Sequence, residues 1–204
     1  MDNSKNELKE LIQTYTLTSA HYNFNTYEKR VFYRVMELIQ YIYQGRKLDK
    51  NFNIKKVEFE NLRKVVIPIS KMLRDDEKNN HKEVKKAIRS LRNKTIEIQT
   101  DKKWRLIGLL EMPSLERYDE NVEFFLHPEV YDVLCDFSKG YRIVDINIAM
   151  SLSSVYSMRF FELMANQKKP ITYSIDELKL MFGLQDKYKK INDFTKKVLL
   201  SAQK

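Results

Sequence analysis

Apolar residues recur at Val84, Ala87, Ile88 and Leu91, the i, i+3, i+4, i+7 spacing that lines one face of a helix. At about 100° per residue they cover an arc of roughly 100°, while Lys82, Lys85, Lys86, Arg89 and Arg92 cover roughly 120° on the far side. Only Glu83 interrupts the positive sign across residues 81–94. Upstream, residues 64–68 form a β-branched run long enough for one strand. An apolar-spaced piece, 69–73, and a polar turn, 74–80, follow it. Downstream, residues 95–99 alternate, with Ile96 and Ile98 on one face, which predicts a half-buried strand. Residues 104–110 and 122–126 supply two more strands, joined by a loop around Pro113, Tyr118 and Asp119. Helix, turn, basic helix and hairpin is the order of a winged helix-turn-helix in which the hairpin is the wing.

The arrangement recurs near the end of the chain. A short β-prone run, 171–173, follows Pro170. Ser174 and Glu177 then have capping-box spacing, which predicts a helix with Ile175, Leu178 and Met181 or Phe182 inward and Gly183 at its end. The next helix, 189–204, places Ile191, Phe194, Val198 and Ala202 on one stripe and Lys190, Lys196, Lys197 and Lys204 opposite it. Two basic helices, each with an apolar anchor, are how a protein presents positive charge to DNA.

The opening segment reads as architectural. Residues 7–16 predict a first helix. Residues 17–25 lead into a second, in which Asn25 and Glu28 have capping-box spacing, Val31, Val35, Leu38, Ile39 and Ile42 line one face, and Gly45 stops the helix. Arg30 and Arg34 have two readings, a reach to phosphate or intramolecular ion pairing. Trp104, flanked by Lys102, Lys103 and Arg105, is read as packing on a sheet face, with a wing tip against DNA as the alternative.

Charge and composition narrow the function. A formal net charge of +9 over 204 residues implies attraction to polyanions, and nucleic acid is favoured over a membrane surface. No apolar run reaches membrane-spanning length and no signal peptide opens the chain, so a cytoplasmic protein is expected. Cys135 is the sole cysteine, which excludes an internal disulfide; on the helix 128–137 it lies off the stripe of Val130, Val133, Leu134 and Phe137 and reads as an inert thiol. His21, His81 and His127 are far apart, without zinc-site spacing, and no Gly-rich loop offers a phosphate cradle. The His-x-His metal pair of a tyrosine nicking enzyme is missing too, so neither catalysis nor a cofactor is expected.

These residues resemble the replication initiator (Rep) proteins of iteron-containing, theta-replicating bacterial plasmids. The run Ser154, Tyr156, Arg159, Phe160, Phe161, Glu162, Leu163 and Met164 is similar to that family's Ser-x-Tyr-Ala-x-Arg-Leu-Tyr-Glu-Leu-Leu helix. Tyr188, Asp193-Phe194, Lys196-Lys197-Val198-Leu199 and Ala202 match its Tyr…Asp-Phe-(basic)-(basic)-Val-Leu…Ala pattern. Weaker echoes are Glu28 and Arg30, the run 87–91, and 108–125.

The resemblance implies an α+β protein with tandem winged helix-turn-helix domains: a complete first domain, 1–144, and a second, 145–204, truncated before its wing. It implies double-stranded origin DNA as partner, a dimer through the first domain, host initiator, helicase and chaperones as further partners, and repression of its own promoter. The second domain's basic helix would enter the major groove, with Lys190, Lys196 and Lys197 as leading contacts and Lys189 and Asn192 after them. The first would grip backbone, through Lys82, Lys85, Lys86, Arg89 and Arg92. Arg159 and Glu162 sit on a helix that is apolar nearly all round, so they read as a structural ion pair or cap, with a DNA contact as the alternative. A plain winged-helix transcriptional regulator, and an assembly module using an exposed sheet edge, remain as alternatives.

Overall fold

The computed structural model describes residues 10–14, 23–44, 53–56, 61–77, 80–100, 103–116, 120–135 and 141–203. The chain forms two compact units, Tyr27–Asp136 and a second made of Met1–Thr26 with Phe137–Lys204.

The first unit carries most of helix α1 (Thr26–Tyr43). Val31, Val35, Leu38 and Ile39 are buried as their spacing predicts, but so are Glu28, Lys29, Arg30, Glu37 and Gln40. Charge buried this way is tolerated only when paired. Glu28 accepts from Lys94 Nζ at 2.6 Å, and Arg30 donates to Glu77. Lys29 Nζ lies 4.9 Å from the Tyr33 ring centroid. Gly45, the expected stop, lies outside the described residues.

A four-stranded antiparallel sheet of order β2-β3-β7-β6 is built from β2 (Asn53–Lys56), β3 (Arg63–Pro68), β6 (Glu111–Ser114) and β7 (Asn121–Leu126). Val65 faces Phe124 and Ile67 faces Val122 across β3 and β7, and all four are buried. Cross-strand pairs on one face give the sheet its apolar side. After β3 come two 3-10 turns, Ile69–Met72 and Asp75–Glu77, then helix α2 (His81–Arg92). Next are β4 (Thr95–Thr100) and β5 (Lys103–Gly108), which pair only with each other. Helix α3 (Pro128–Cys135) ends the unit, with Val130 and Leu134 buried and Phe137 outside the described residues. Cys135 is half-buried, and burial pushes its thiol above the ordinary value.

The three strands expected after the basic helix therefore do not form one wing. β4 and β5 are separated by two residues, so their closure costs little entropy, and they make the hairpin. Residues 122–126 instead join the larger sheet, where Val65 and Ile67 flank Phe124 and Val122 on its buried side. The stretch around Pro113, read as loop, contains β6.

The second unit opens with another correction. Residues 10–14, expected as helix, are strand β1 (Glu10–Thr14), antiparallel to β8 (Tyr141–Asp145) with Leu11 opposite Val144, both fully buried. A helix of about ten residues is marginal alone, and a ladder with a distant strand outweighs its propensity. Helices α4 (Ile146–Ser151), α5 (Val155–Met164) and α6 (Ile175–Met181) follow. Asp145 caps α4, accepting from Asn147 N at 2.9 Å and Ile148 N at 3.1 Å. Residues 171–173 are not a strand; Tyr173 packs on the helical core instead. The last helical stretch comprises α7 (Ile191–Phe194), a π turn (Thr195–Leu199) and α8 (Leu200–Ala202). Phe194 and Val198 are fully buried in a cluster with Leu163, Leu178, Met181, Phe182 and Leu184. From Ile146 onward the described residues contain helices and turns and no strand.

Candidate nucleic-acid interface

Helix α2 has Val84, Ala87, Ile88 and Leu91 buried, while Lys82, Lys85, Lys86, Arg89 and Arg92 are exposed. Both of its ends are tied to α1. Ahead of it, Glu77 is a hub: Tyr27 Oη donates to its Oε1 at 3.1 Å, Arg30 donates to its other oxygen, and Asn80 Nδ2 donates to Tyr27 Oη at 3.1 Å. Burial, with the Glu77 carboxylate as a further cause, holds the Tyr27 hydroxyl above its ordinary value, so it stays a donor at neutral pH. Past the helix, Lys94 is pinned to buried Glu28.

The positive face is partly compensated. Lys86 pairs with Glu83 at 2.7 Å and Arg92 with Glu111 at 3.1 Å. Lys82, Lys85 and Arg89 pair with no carboxylate among the described residues. Arg30 and Arg34, the other candidates for phosphate contact, are taken by Glu77 and by Glu37 with the Lys71 carbonyl, so intramolecular pairing is their role. The β4–β5 hairpin leaves α2 through Leu109 N, which donates to Lys94 O at 2.9 Å. Trp104 does not pack on a covered sheet face: it is 61% exposed, with Leu106, two residues on, 54% exposed. β4 and β5 form a sheet of two strands, so Trp104 and Leu106 stand on a smaller sheet than the four-stranded one that carries the apolar side.

In the second unit the turn before the basic stretch is built from small devices. Ser174 Oγ accepts from Glu177 N at 3.1 Å and Glu177 Oε2 accepts from Ser174 N at 2.7 Å, the reciprocal box that its spacing predicts. The other end of α6 closes on Gly183 at φ 65°, with Gly183 N donating to Leu180 O at 3.2 Å and Leu184 N to Lys179 O at 2.8 Å. This is a Schellman turn, and its positive φ is why glycine stands there. Lys179 Nζ donates to the Tyr188 carbonyl at 2.9 Å, and the Tyr188 hydroxyl lies 3.5 Å from that of Tyr156. Arg159 is buried, 3.6 Å from Glu162, with Nη2 donating to Met181 O at 3.2 Å and its guanidinium 5.5 Å from the Phe182 ring. Arg159 and Glu162 are structural.

Lys189, Lys190, Asn192, Lys196 and Lys197 are all exposed, and none of the four lysines is paired with a carboxylate among the described residues. Ile191, expected on the inward stripe, is 67% exposed. It is the first residue of α7, where a side chain leaning toward the N-terminus projects past the last packed layer. Sequence reasoning missed Tyr27, Glu77 and Lys179, which position these faces through contacts between elements; only Tyr188 carried a signal, through the motif quoted above.

Two family models cover this architecture. The WH1 domain of initiator replication proteins matches residues 10–165, and the WH2 domain of initiator Rep proteins matches residues 174–204. The chain belongs to the initiator replication protein family. Its WH1 match runs from β1 through α5 and so includes elements of both compact units. Among solved structures, that of the Pi initiator protein in complex with iteron DNA is similar, with a TM-score of 0.64 at 15% identity, covering 97% of this chain and 85% of that chain. At this identity the likeness shows the fold, tandem WH1 and WH2 domains of mixed helix and strand. No curated protein matches the chain. No described helix is long and apolar enough to cross a membrane, and no group of three or more described His, Cys, Asp or Glu residues is placed to hold a metal ion.

Proposed function

We propose that this initiator binds repeated double-stranded DNA at a plasmid replication origin and starts replication by holding and distorting that DNA, without catalysing a reaction itself. The observation that carries the reading is the pair of cationic helical faces. Each stands on a buried apolar face, follows a short helical turn, and exposes lysines or arginines with no carboxylate partner among the described residues. Lys82, Lys85, Lys86, Arg89 and Arg92 contact phosphates, which fix position but carry little sequence information. Lys189, Lys190, Asn192, Lys196 and Lys197 supply groove and phosphate contacts, the former reading base edges. Self-association through the first domain would let the same protein repress its own promoter, and the distorted duplex would be the loading site for host initiator and helicase.

Footprinting the full chain on origin DNA tests this. Protection repeating at intervals of about two helical turns is expected. A single protected palindrome would identify a transcriptional regulator, and no protection even at low salt would identify an assembly module.

A further inference from the structure

Beside the cationic face of α2 lies a groove of about 370 Å³. Lys85, Arg89 and Arg92 line one wall, Pro113 and Leu115 the other, and buried Ile88 and Val122 the base. The volume falls within the range of small-molecule sites, roughly 300–1,000 Å³. Its far wall is shaped by strain. Met112 holds a left-handed backbone at φ 45°, and the ladder between β6 and β7 shifts register between Glu111 and Ser114. Such irregularities re-aim a strand and cluster at ligand sites. Pro113 also removes an N–H donor from this edge strand, which argues against an added peptide strand as occupant.

The lining joins two chemistries. Arg92 is held by Glu111 at 3.1 Å, while Lys85 and Arg89 pair with no carboxylate among the described residues. A planar guanidinium grips phosphate oxygens in bidentate fashion. A duplex phosphate asks only for the cations; the apolar base and the Pro113–Leu115 wall fit a flat ring carried by the same molecule as the phosphate, a sugar's length away. We propose that this groove binds a nucleoside phosphate, with the phosphate on Lys85 and Arg89 and the ring against Pro113 and Leu115 over Ile88 and Val122. The site stands on its own geometry. Competition with duplex DNA, which follows from the shared cations, rests on the duplex-binding reading.

Calorimetric titration of the full chain with adenosine monophosphate, adenosine and inorganic phosphate tests the pairing of charge with apolar cover. Adenosine monophosphate should bind at least tenfold more tightly than either fragment. Ser114→Phe fills the groove from an exposed position and removes no cation, so it should abolish nucleotide binding yet leave low-salt duplex binding within about twofold. Leu115→Glu is the second variant, setting a charged group where the ring makes its apolar contact. Arg89→Ala should weaken nucleotide at least tenfold and duplex as well. Phosphate binding as tightly as the nucleotide, nucleotide binding untouched by both groove variants, or none at millimolar concentration would each overturn the proposal. A free nucleotide and the end of an unpaired strand offer the same chemistry. A 5′-phosphorylated trinucleotide that binds more tightly than the mononucleotide in a Ser114→Phe-sensitive way assigns the strand end, and one that binds no more tightly assigns the free nucleotide.

Discussion

Helix α2 is a regular helix of 12 residues whose cations follow one helical period, whereas the cationic stretch after Lys190 is broken by the π turn at Thr195–Leu199. The two are also mounted differently. Both stand on buried apolar side chains, but α2 is also fixed by polar contacts at both of its ends, Glu77 with Tyr27 and Arg30 before it and Lys94 with Glu28 after it. The second face is positioned from beneath, by Phe194 and Val198 in an aromatic and aliphatic cluster. The π turn takes up one extra residue, and with it Lys196 and Lys197 stay exposed while Val198 stays buried. Charge is neutralised unevenly as well: Glu83 and Glu111 temper α2, and no described carboxylate pairs with the lysines of the second stretch.

The largest expected effect breaks the mounting of the second region. Arg159→Ala strips buried Glu162 of its guanidinium and α6 of a donor to its last carbonyl, and should cost about 3–5 kcal/mol in chemical denaturation. Replacing both residues by apolar ones of similar volume should recover much of that. Full stability in the single variant would show that the packed cluster alone holds the region.

Next is the division between the two faces. Alanine at Lys190, Lys196 and Lys197 should erode discrimination between a cognate repeat and a scrambled one by roughly 1–3 kcal/mol per lost base contact. Alanine at Lys85, Lys86 and Arg89 should weaken both duplexes alike. Competition binding with the two duplexes reads this, and equal losses at both clusters would erase the distinction.

A smaller effect sharpens the charge argument. Log affinity should fall with log salt at about −0.9 per neutralised phosphate, with about four to six contacts in all. Removing Lys85 or Arg89 singly should flatten that slope more than removing Lys86, which is already engaged by Glu83. A slope near zero for the unaltered chain would refute electrostatic capture.

The smallest effect concerns the cap of α6. Ser174→Ala should cost about 1 kcal/mol at neutral pH. The Ser174 backbone N–H and hydroxyl hold the Glu177 carboxylate below its ordinary value, so its contribution is present above the ordinary carboxylate range and lost as pH falls through the lowered value. Thermal melts of the variant and the unaltered chain should therefore draw closer in acid without merging, because the Ser174 Oγ–Glu177 N bond does not titrate.

What the sequence by itself determined is local. Periodicity located α2, with its four apolar anchors and five exposed cations, and spacing located the Ser174–Glu177 box and the stop at Gly183. The motif around Arg159 and Glu162 pointed to the family. Each of these depends on residues within a few positions of one another, where helix geometry fixes which side chains share a face. The tertiary structure decided the rest. It made residues 10–14 a strand by pairing them with β8, more than a hundred residues away, and sent residues 122–126 to the sheet of β3 rather than to the hairpin. It engaged Arg30 with Glu77, exposed Trp104 and Ile191, and closed a groove between α2 and β6. Strand pairing and charge neutralisation join residues whose separation along the chain leaves no periodic trace, so they are settled by which distant surfaces meet.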